Sequence, residues 1–525
     1  MKLEGNNFIG NAKSAKGRIT FNAVNPADGK MLDTSFHEAT SEEVDQAAQV
    51  AKDAFKIYRN KSGQEKAEFL ETIAAEILSL GDDLIQRCMS ETGLAEVRIT
   101  SERGRTMNHL KLFAAVLREG SWPDARIELA QPDRKPLPKP DVRSMQIALG
   151  PVGVFGASNF PLAFSVAGGD SASALAAGCP IVVKAHPAHP GTCELVASAI
   201  INAIHKTNMP DGTFSMVHGT SIDVGMALVK NPFIKAVGFT GSYRGGKALF
   251  DAACRRPEPI PVYAEMGSTN PVFILPGALK EKREDIVQGL TASVTLGVGQ
   301  FCTNPGLIII EKSEEFDSFK NAAIKSFEET TSGVMLTSAI LDAYEQGAAK
   351  LAAFNMVELL AEGQVQGMGF QGNPSLWQMT GESFIVDNQF EKEIFGPSTL
   401  IVTADEKSEL FKIAYNLGGH LTTTIWANDL DLVNYQELID ILQTKAGRLI
   451  INGFPTGVEV CHSMIHGGPF PATTDSRSTS VGTMAIRRFT RPVCYQNFPN
   501  AHLPDELKND NPLNIWRMID GDFKK

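Results

Sequence analysis

Long apolar runs are missing from this chain of 525 residues: none approaches the roughly 18 residues that a membrane-spanning helix needs. Met1 to Gly10 likewise lacks an apolar core of signal-peptide length. A cytosolic location is the expectation. The seven cysteines (Cys88, Cys179, Cys193, Cys254, Cys302, Cys461, Cys494) are odd in number, scattered and without a CxxC pair. Neither a disulfide framework nor a zinc site is indicated, and no metal is expected. Basic charge is scarce as well, 49 Lys and Arg against 60 Asp and Glu for a net charge of −11. That balance argues against a nucleic-acid partner, as the missing apolar runs argue against a membrane. The chain carries no internal repeat, no low-complexity tract and no GxGxxG fingerprint after a strand. What remains is an ordinary globular composition, 43% hydrophobic and 21% charged, long enough for about three domains. Small-molecule chemistry is the class left standing.

Apolar residues recur at helical spacing over 41–58 (Val44, Ala47, Ala48, Ala51, Phe55) behind a Ser41-Glu42-Glu43 start. This predicts a surface helix, and 64–80 and 101–117 read the same way. Pro132, Pro136, Pro138 and Pro140 break the chain over 131–140, and Val142 to Leu149 follows as a candidate strand. From Gly150 onward short apolar runs at 152–155, 180–183 and 236–239 alternate with small-residue helices at 165–177 and 191–204. Further runs at 272–275, 307–310, 399–402 and 449–452 continue the alternation. The pattern predicts an α/β protein with parallel sheets covered on both faces, the first a doubly wound nucleotide-binding domain. An active site at the boundary between the two sheets is expected.

Gly297-Val298-Gly299-Gln300-Phe301-Cys302 places one cysteine in a Gly-rich bend, and Glu265 follows the proline-flanked apolar stretch Pro259-Ile260-Pro261-Val262-Tyr263. A thiolate can add to a carbonyl carbon, and a carboxylate can deprotonate the water that releases the resulting thioester. Burial is expected to raise the pKa of Glu265 towards that of a useful base. Read alone, the cysteine is a small buried hydrophobe and the glutamate a structural acceptor. Asn159, just before Pro161, suits an Asx turn or a helix N-cap. Lys184 ends a strand, where its ammonium is either solvated or aimed at a ribose. Gly241-Ser242-Tyr243-Arg244-Gly245-Gly246 is a strand-to-helix turn whose N–H groups could meet a pyrophosphate.

Asn159-Phe160-Pro161-Leu162, Val182-Val183-Lys184, Phe239-Thr240-Gly241-Ser242, Glu265-Met266-Gly267, the Cys302 segment and Glu393-Ile394-Phe395-Gly396-Pro397 follow one another in a fixed order. Together they resemble the aldehyde dehydrogenase superfamily, from Val24-Asn25-Pro26-Ala27 to the neighbourhood of residue 500. The resemblance implies two parallel-sheet α/β domains and a small β oligomerisation flap. On that basis 1–130 and 150–265 form the nucleotide-binding domain, 266–470 the catalytic domain, 131–149 and 480–500 the flap, and 501–525 a C-terminal tail. The flap strand at 142–149 would pair with 487–498, in a homodimer or homotetramer. Cys302 would be the nucleophile attacking a small-molecule aldehyde, its own N–H and the Asn159 amide the oxyanion donors, and Glu265 the hydrolytic base. Lys184, His186, Gly241, Ser242 and Gly246 would meet the cofactor, with Glu393 and Phe395 clamping its nicotinamide ribose. Phe160, Phe164 and Phe301 are candidate walls of the substrate pocket.

The chain departs from the family pattern in three places. No tryptophan precedes Asn159, and Gly267-Ser268-Thr269-Asn270 replaces the common Gly-Gly-Lys. Pro187, within Ala185-His186-Pro187-Ala188-His189, stands where NAD-selective relatives carry a glutamate that repels a 2′-phosphate. Loss of that carboxylate beside new histidines favours NADP, with NAD possible.

Gly156 to Ser165, Ala167-Gly168-Gly169-Asp170, Gly467 to Thr474 and Arg487 to Val493 further resemble the α-ketoglutaric semialdehyde (2,5-dioxopentanoate) dehydrogenases, which implies oxidation to 2-oxoglutarate. The NADP-dependent fatty aldehyde dehydrogenases share several of these strings. A semialdehyde carboxylate needs a cation or clustered donors, whereas a fatty chain needs a dry tunnel; no arginine can be singled out for the purpose. A CoA-acylating enzyme is disfavoured by Glu265, which suits water as the acceptor. A non-redox thiol hydrolase would need a base beside Cys302, and the histidines, His186, His189, His205, His218, His462 and His466 among them, form no recognisable Cys/His signature.

Overall fold

The computed structural model describes residues 2–525. Its first helices begin where capping chemistry allows. Thr40 Oγ1 accepts from Glu43 N at 3.2 Å while Glu43 returns a carboxylate oxygen to Thr40 N at 2.9 Å, and Ser62 and Glu65 repeat the exchange. These reciprocal caps start α1 (Ser41–Tyr58) and α2 (Gly63–Ser79). A helix that periodicity did not reveal, α3 (Gly81–Thr92), follows at once and closes on Gly93 in the left-handed region at φ 67°. Next comes α4 (Glu96–Glu119), which begins earlier than its apolar spacing suggests. Its first turns carry charged residues, Arg98 and Glu102, that face protein rather than water.

The first seven-stranded sheet runs in the order Val262–Glu265, Ala236–Thr240, Val152–Phe155, Ile181–Lys184, Phe214–Val217, Asn7–Ile9, Ala12–Ser14. Its first five strands are parallel, and the N-terminal hairpin is added antiparallel. Helices on both faces bury most of each parallel strand, so they read as continuous apolar runs such as Ile181-Val182-Val183. Chain order reverses between Val152–Phe155 and Ala236–Thr240, which opens a crevice at the carboxyl ends of these strands. Asn159, Lys184, Gly241 and Glu265 all lie at that end.

The second sheet has the order Glu358–Glu362, Ser375–Thr380, Ser398–Ala404, Leu307–Glu311, Val272–Ile274, His420–Trp426, Ala446–Ile451, parallel except for its first strand. Its amino ends face the carboxyl ends of the first sheet. Cys302 precedes Leu307–Glu311, and Glu393 precedes Ser398–Ala404. A third sheet pairs Val142–Ala148 with Thr490–Gln496, Thr490 opposite Ala148.

Residues 501–525, expected as a tail, instead extend this third sheet with Arg517–Ile519 and Asp522–Lys524. The missed signal is Asp520-Gly521, whose φ angles of 48° and 89° make the two-residue turn that joins right-twisted strands. The helix anticipated over 165–177 begins only at Gly169. The residues before it fold back as turns, with Gly169 N donating to Ala163 O at 3.1 Å.

Candidate active site

Three consecutive left-handed residues shape the bend before the cysteine: Gly297 at φ 56°, Val298 at 59° and Gly299 at 66°. A β-branched valine is costly there, and such strain persists only where surrounding contacts enforce it. At Gly299 a Cβ would fall on the Gly396 carbonyl and the Pro397 nitrogen. The cysteine bend is thus laid directly against the Glu393–Pro397 segment. Asn270, fully buried, holds the far side of the bend. Its Nδ2 donates to Cys302 O at 2.8 Å and Asn304 O at 2.9 Å, while its Oδ1 accepts from Ser268 Oγ at 3.0 Å and Thr422 Oγ1 at 3.1 Å. The departure from Gly-Gly-Lys therefore places side-chain hydrogen bonds, from Ser268 and Asn270, beneath the cysteine.

Half-buried Cys302 has a neighbour that its sequence context did not announce. His466 Nε2 lies 3.5 Å from Cys302 Sγ and 3.0 Å from Glu265 Oε1. Sγ, the imidazole nitrogen and a Glu265 oxygen all fall within 4.8 Å of one another. His466 is held in place through its backbone, its N–H donating to Thr479 Oγ1 at 2.8 Å and its carbonyl accepting from Ser480 N at 2.8 Å. The only hint in the chain was its adjacency to Gly467-Gly468, where the backbone can turn tightly enough to aim a ring inward. A base does stand beside the thiol, contrary to the expectation drawn from the missing Cys/His signature.

Electrostatics divide the cluster. Burial raises the Cys302 thiol well above its ordinary value, and the Glu265 and Glu393 carboxylates push it further; Arg105 pulls the other way. Burial also acts to raise Glu265, but the charge and hydrogen bond of His466, with hydrogen bonds from Ser480 and Cys302, outweigh it and leave this carboxyl below its ordinary value. The expectation of a raised Glu265 is thereby corrected: its Oε2 accepts from Ser480 Oγ at 2.7 Å, so both oxygens are engaged.

On the other side of the thiol, Asn159 Nδ2 donates to Gln300 O at 2.9 Å, which ties the Phe155–Asn159 turn to the cysteine bend and leaves one amide hydrogen free. Phe160 packs edge-on against both Phe164 and Phe301, each pair with ring centroids 5.3 Å apart. The three expected wall residues therefore come together next to Cys302.

At the opposite end, Glu393, Ile394 and Phe395 line a cavity with Ser268, Thr269, Gly299, Asn304 and Gly306. Burial raises the Glu393 carboxyl to about 7, with the Glu265 charge adding to the effect against one backbone hydrogen bond from Ser268. Thr269 Oγ1 and Asn304 Oδ1, buried in the same lining, have no partner among the described residues. A carboxylate with unused acceptor capacity beside orphaned polar atoms leaves hydrogen-bonding groups open to the hydroxyls or amide of a ligand. Lys184 Nζ donates to Gly219 O at 2.6 Å, and burial lowers its pKa to about 8. His186 accepts from Ala188 N at 3.2 Å and stacks on His189, and burial with the neighbouring His189 and Lys184 charges holds it well below its ordinary value, hence neutral. Gly241 and Ser242 lie exposed at the amino end of the helix Tyr243–Cys254, where Ser242 Oγ accepts from Gly245 N at 3.2 Å. Gly246 is different: it is buried, and a Cβ there would meet Met266 Cγ at 2.7 Å. Helix-to-strand packing accounts for that glycine.

A half-buried thiol between two parallel-sheet domains, with packed phenylalanine rings on one side and the Glu393 recess with its unpartnered polar atoms on the other, defines a site suited to small-molecule chemistry at a cysteine. The aldehyde dehydrogenase family profile matches residues 12–470. The chain belongs to that family. It is 48% identical over 522 residues to an α-ketoglutaric semialdehyde dehydrogenase 2 of Azospirillum brasilense, covering 99% of each chain. It is 47% identical over 518 residues to an α-ketoglutaric semialdehyde dehydrogenase of Acinetobacter baylyi, covering 98% of each. Among solved structures, lactaldehyde dehydrogenase from Escherichia coli superposes with a TM-score of 0.81 at 21% identity, over 94% of this chain and 99% of that one, a likeness of fold.

Proposed function

We propose that the chain oxidises 2,5-dioxopentanoate to 2-oxoglutarate with NADP in preference to NAD. The observation that carries the chemistry is the Cys302–His466–Glu265 contact beside the aromatic pocket. The substrate assignment is supported by the two relatives named for that activity, each matched over nearly its whole length. No helix of the described residues is long and apolar enough to cross a membrane.

Because the Cys302 thiol is held protonated at neutral pH, a base must remove its proton as it attacks. Glu265 is placed to do this: it accepts a hydrogen bond from the Cys302 thiol, while His466 Nε2, at 3.0 Å from Oε1, and the Ser480 hydroxyl hold the carboxylate in position. The thiolate adds to the aldehyde carbon, and the developing oxyanion is met by the Cys302 N–H and the free amide hydrogen of Asn159. Such donors typically contribute about 3 kcal/mol each. A bound nicotinamide would supply the two-electron acceptor; Glu393 and Phe395 would hold its ribose, with Lys184 and the Gly241-Ser242 turn farther along. Cys302 is left as a thioester, and Glu265, once it has given up the thiol proton to solvent, takes the proton of the water that hydrolyses it. NADP preference is supported by Pro187, which offers no carboxylate against a 2′-phosphate. Assembly as a homo-oligomer is supported by Thr490–Gln496, at the edge of the third sheet, where a second copy could continue the ladder. Free thiols suit the cytosol.

Initial rates with 2,5-dioxopentanoate and with decanal, each with NADP and NAD, test the reading. It requires the semialdehyde with NADP to be the best pair; faster turnover of decanal would transfer the chain to the fatty-aldehyde branch. Cys302→Ala should abolish oxidation. His466→Gln should lower kcat by about 10²-fold, and an unchanged pH–rate profile in that variant would show that His466 does not hold Glu265 in its working state.

A further inference from the structure

Arg98, Glu102 and Arg105 are spaced i, i+4 and i+7 and so share one stripe of α4. That stripe faces the phenylalanines beside Cys302. The Arg98 guanidinium sits 4.5 Å from the Phe160 ring centroid and 5.2 Å from that of Phe301, and the Arg105 guanidinium sits 5.2 Å from that of Phe164.

The two arginines differ in how their charge is met. Arg98 Nη1 donates to Glu102 Oε2 at 2.8 Å, and the other oxygen of that wholly buried carboxylate accepts from Leu162 N and Ala163 N, both at 2.9 Å. Glu102 thereby neutralises Arg98 and fixes the turn that carries Phe160 and Phe164. Arg105 has no such partner. Among the described residues it forms no ion pair, and its one hydrogen bond runs from Nη2 to Val458 O at 3.4 Å. Burial lowers its pKa, opposed first by the Glu102 charge and then by Cys302 and Glu265. Phe164, under the guanidinium, lies with its ring 6.3 Å from that of His466, which in turn is 3.5 Å from Cys302 Sγ, so the cation is on the side of the reacting thiol.

Resting on the semialdehyde reading above, we propose that Arg105 is the specificity-determining residue that receives the substrate carboxylate. A guanidinium offers five donors in a planar fork that matches a carboxylate, and here four remain unused. A half-buried cation with no direct ion pair among the described residues is costly in the free protein, and an anion arriving beside it relieves that cost. In 2,5-dioxopentanoate the carboxylate and the aldehyde carbon are separated by about 5 Å when extended. A charge fixed near the thiol can therefore grip one end while Cys302 attacks the other. The apolar rings of Phe160, Phe164 and Phe301 fit the methylenes between.

The test compares 2,5-dioxopentanoate with pentanal, an uncharged aldehyde of the same chain length, in wild type, Arg105→Met and Arg105→Lys. The expected result for Arg105→Met is a loss of about a hundredfold in kcat/KM for the semialdehyde, carried by KM, with pentanal changed by less than about threefold. Arg105→Lys, which keeps the charge and loses the fork, should fall between. Inhibition by glutarate should be competitive in the wild type and weakened in Arg105→Met. Equal losses for both aldehydes would overturn the proposal, because they would assign Arg105 to tuning the Cys302 thiol. Undiminished semialdehyde turnover in Arg105→Met would overturn it as well. A wild type that does not favour the semialdehyde over pentanal would instead defeat the substrate reading itself, and the proposal with it.

Discussion

Glu393 provides a sharp test of the cofactor cavity. Its carboxyl is raised to about 7 by burial and by the neighbouring Glu265 charge, and only the ionised form can accept from both hydroxyls of a ribose. If cofactor binding selects that form, the apparent dissociation constant equals the intrinsic one divided by the ionised fraction. With a pKa of about 7 this fraction is about nine-tenths at pH 8 and about one-eleventh at pH 6, so affinity should fall roughly tenfold between them. NAD is the ligand to use, because the 2′-phosphate of NADP would titrate over the same range, near pH 6. The sign for the cofactor-free protein is the reverse. A carboxyl whose folded pKa exceeds its ordinary value of 4.5 contributes stability that is complete below about 4.5 and lost as pH rises through about 7. The loss amounts to at most about 3 kcal/mol at pH 8. Glu393→Gln should therefore bind NAD with a flat profile across pH 6 to 8, and in the cofactor-free state should unfold at a higher temperature than wild type at pH 8. Titration calorimetry and thermal denaturation read the two effects separately. A wild-type affinity for NAD that is independent of pH over this range, or a Gln variant that keeps the dependence, would refute the assignment of Glu393 to the ribose.

Two further perturbations probe the scaffold of the thiol. Gly299→Ala places a Cβ on the Gly396 carbonyl and the Pro397 nitrogen at a left-handed position, so it should shift Cys302 and Glu393 together. A loss of about 10²-fold or more in kcat/KM is expected, along with weakened NAD binding; a variant with normal kinetics would show that the bend and the Glu393 segment are not coupled. Asn270→Ala strands the carbonyls of Cys302 and Asn304 and leaves the Ser268 and Thr422 hydroxyls without their acceptor. At about 1–3 kcal/mol for each unsatisfied buried group, it should lower the unfolding midpoint markedly and slow alkylation of Cys302 by iodoacetamide relative to wild type. Unchanged stability would mean that water replaces the amide without cost.

Much of the fold was legible because its signals are local. The helical spacing over 41–58 and 64–80 and the apolar runs at 152–155, 180–183 and 307–310 announce helices and buried parallel strands without reference to distant residues. Lys184 and Glu265 end such strands and Cys302 precedes one, but their roles were legible only through the ordered motifs of the family resemblance. His466, Arg105 and Asn270 were not. His466 lies 201 residues from Glu265 in sequence and lies in a loop with no periodicity. Arg105 reads as one more charge on a surface helix until Phe164 is seen packed beneath it. The Asp520-Gly521 hairpin was legible in principle, but its three-residue strands are too short to establish alternation.

The two carboxylates of the site explain why burial alone could not predict its electrostatics. Glu265 and Glu393 are both withdrawn from water, and desolvation acts on both to raise the pKa. They part because Glu265 has His466, Ser480 and Cys302 as donors, whereas Glu393 has one backbone N–H and a neighbouring negative charge. The first carboxylate is thereby held below its ordinary value with both oxygens engaged; the second is raised to about 7, with acceptor capacity still open to a ligand's hydroxyls. A site that must create a thiolate at one end and recognise a ribose at the other needs this divergence. The donor set, rather than depth in the protein, produces it. Moving the Ser480 hydroxyl or the His466 ring away from Glu265 should accordingly raise the Glu265 pKa towards that of Glu393 and shift the acid limb of the pH–rate profile upward.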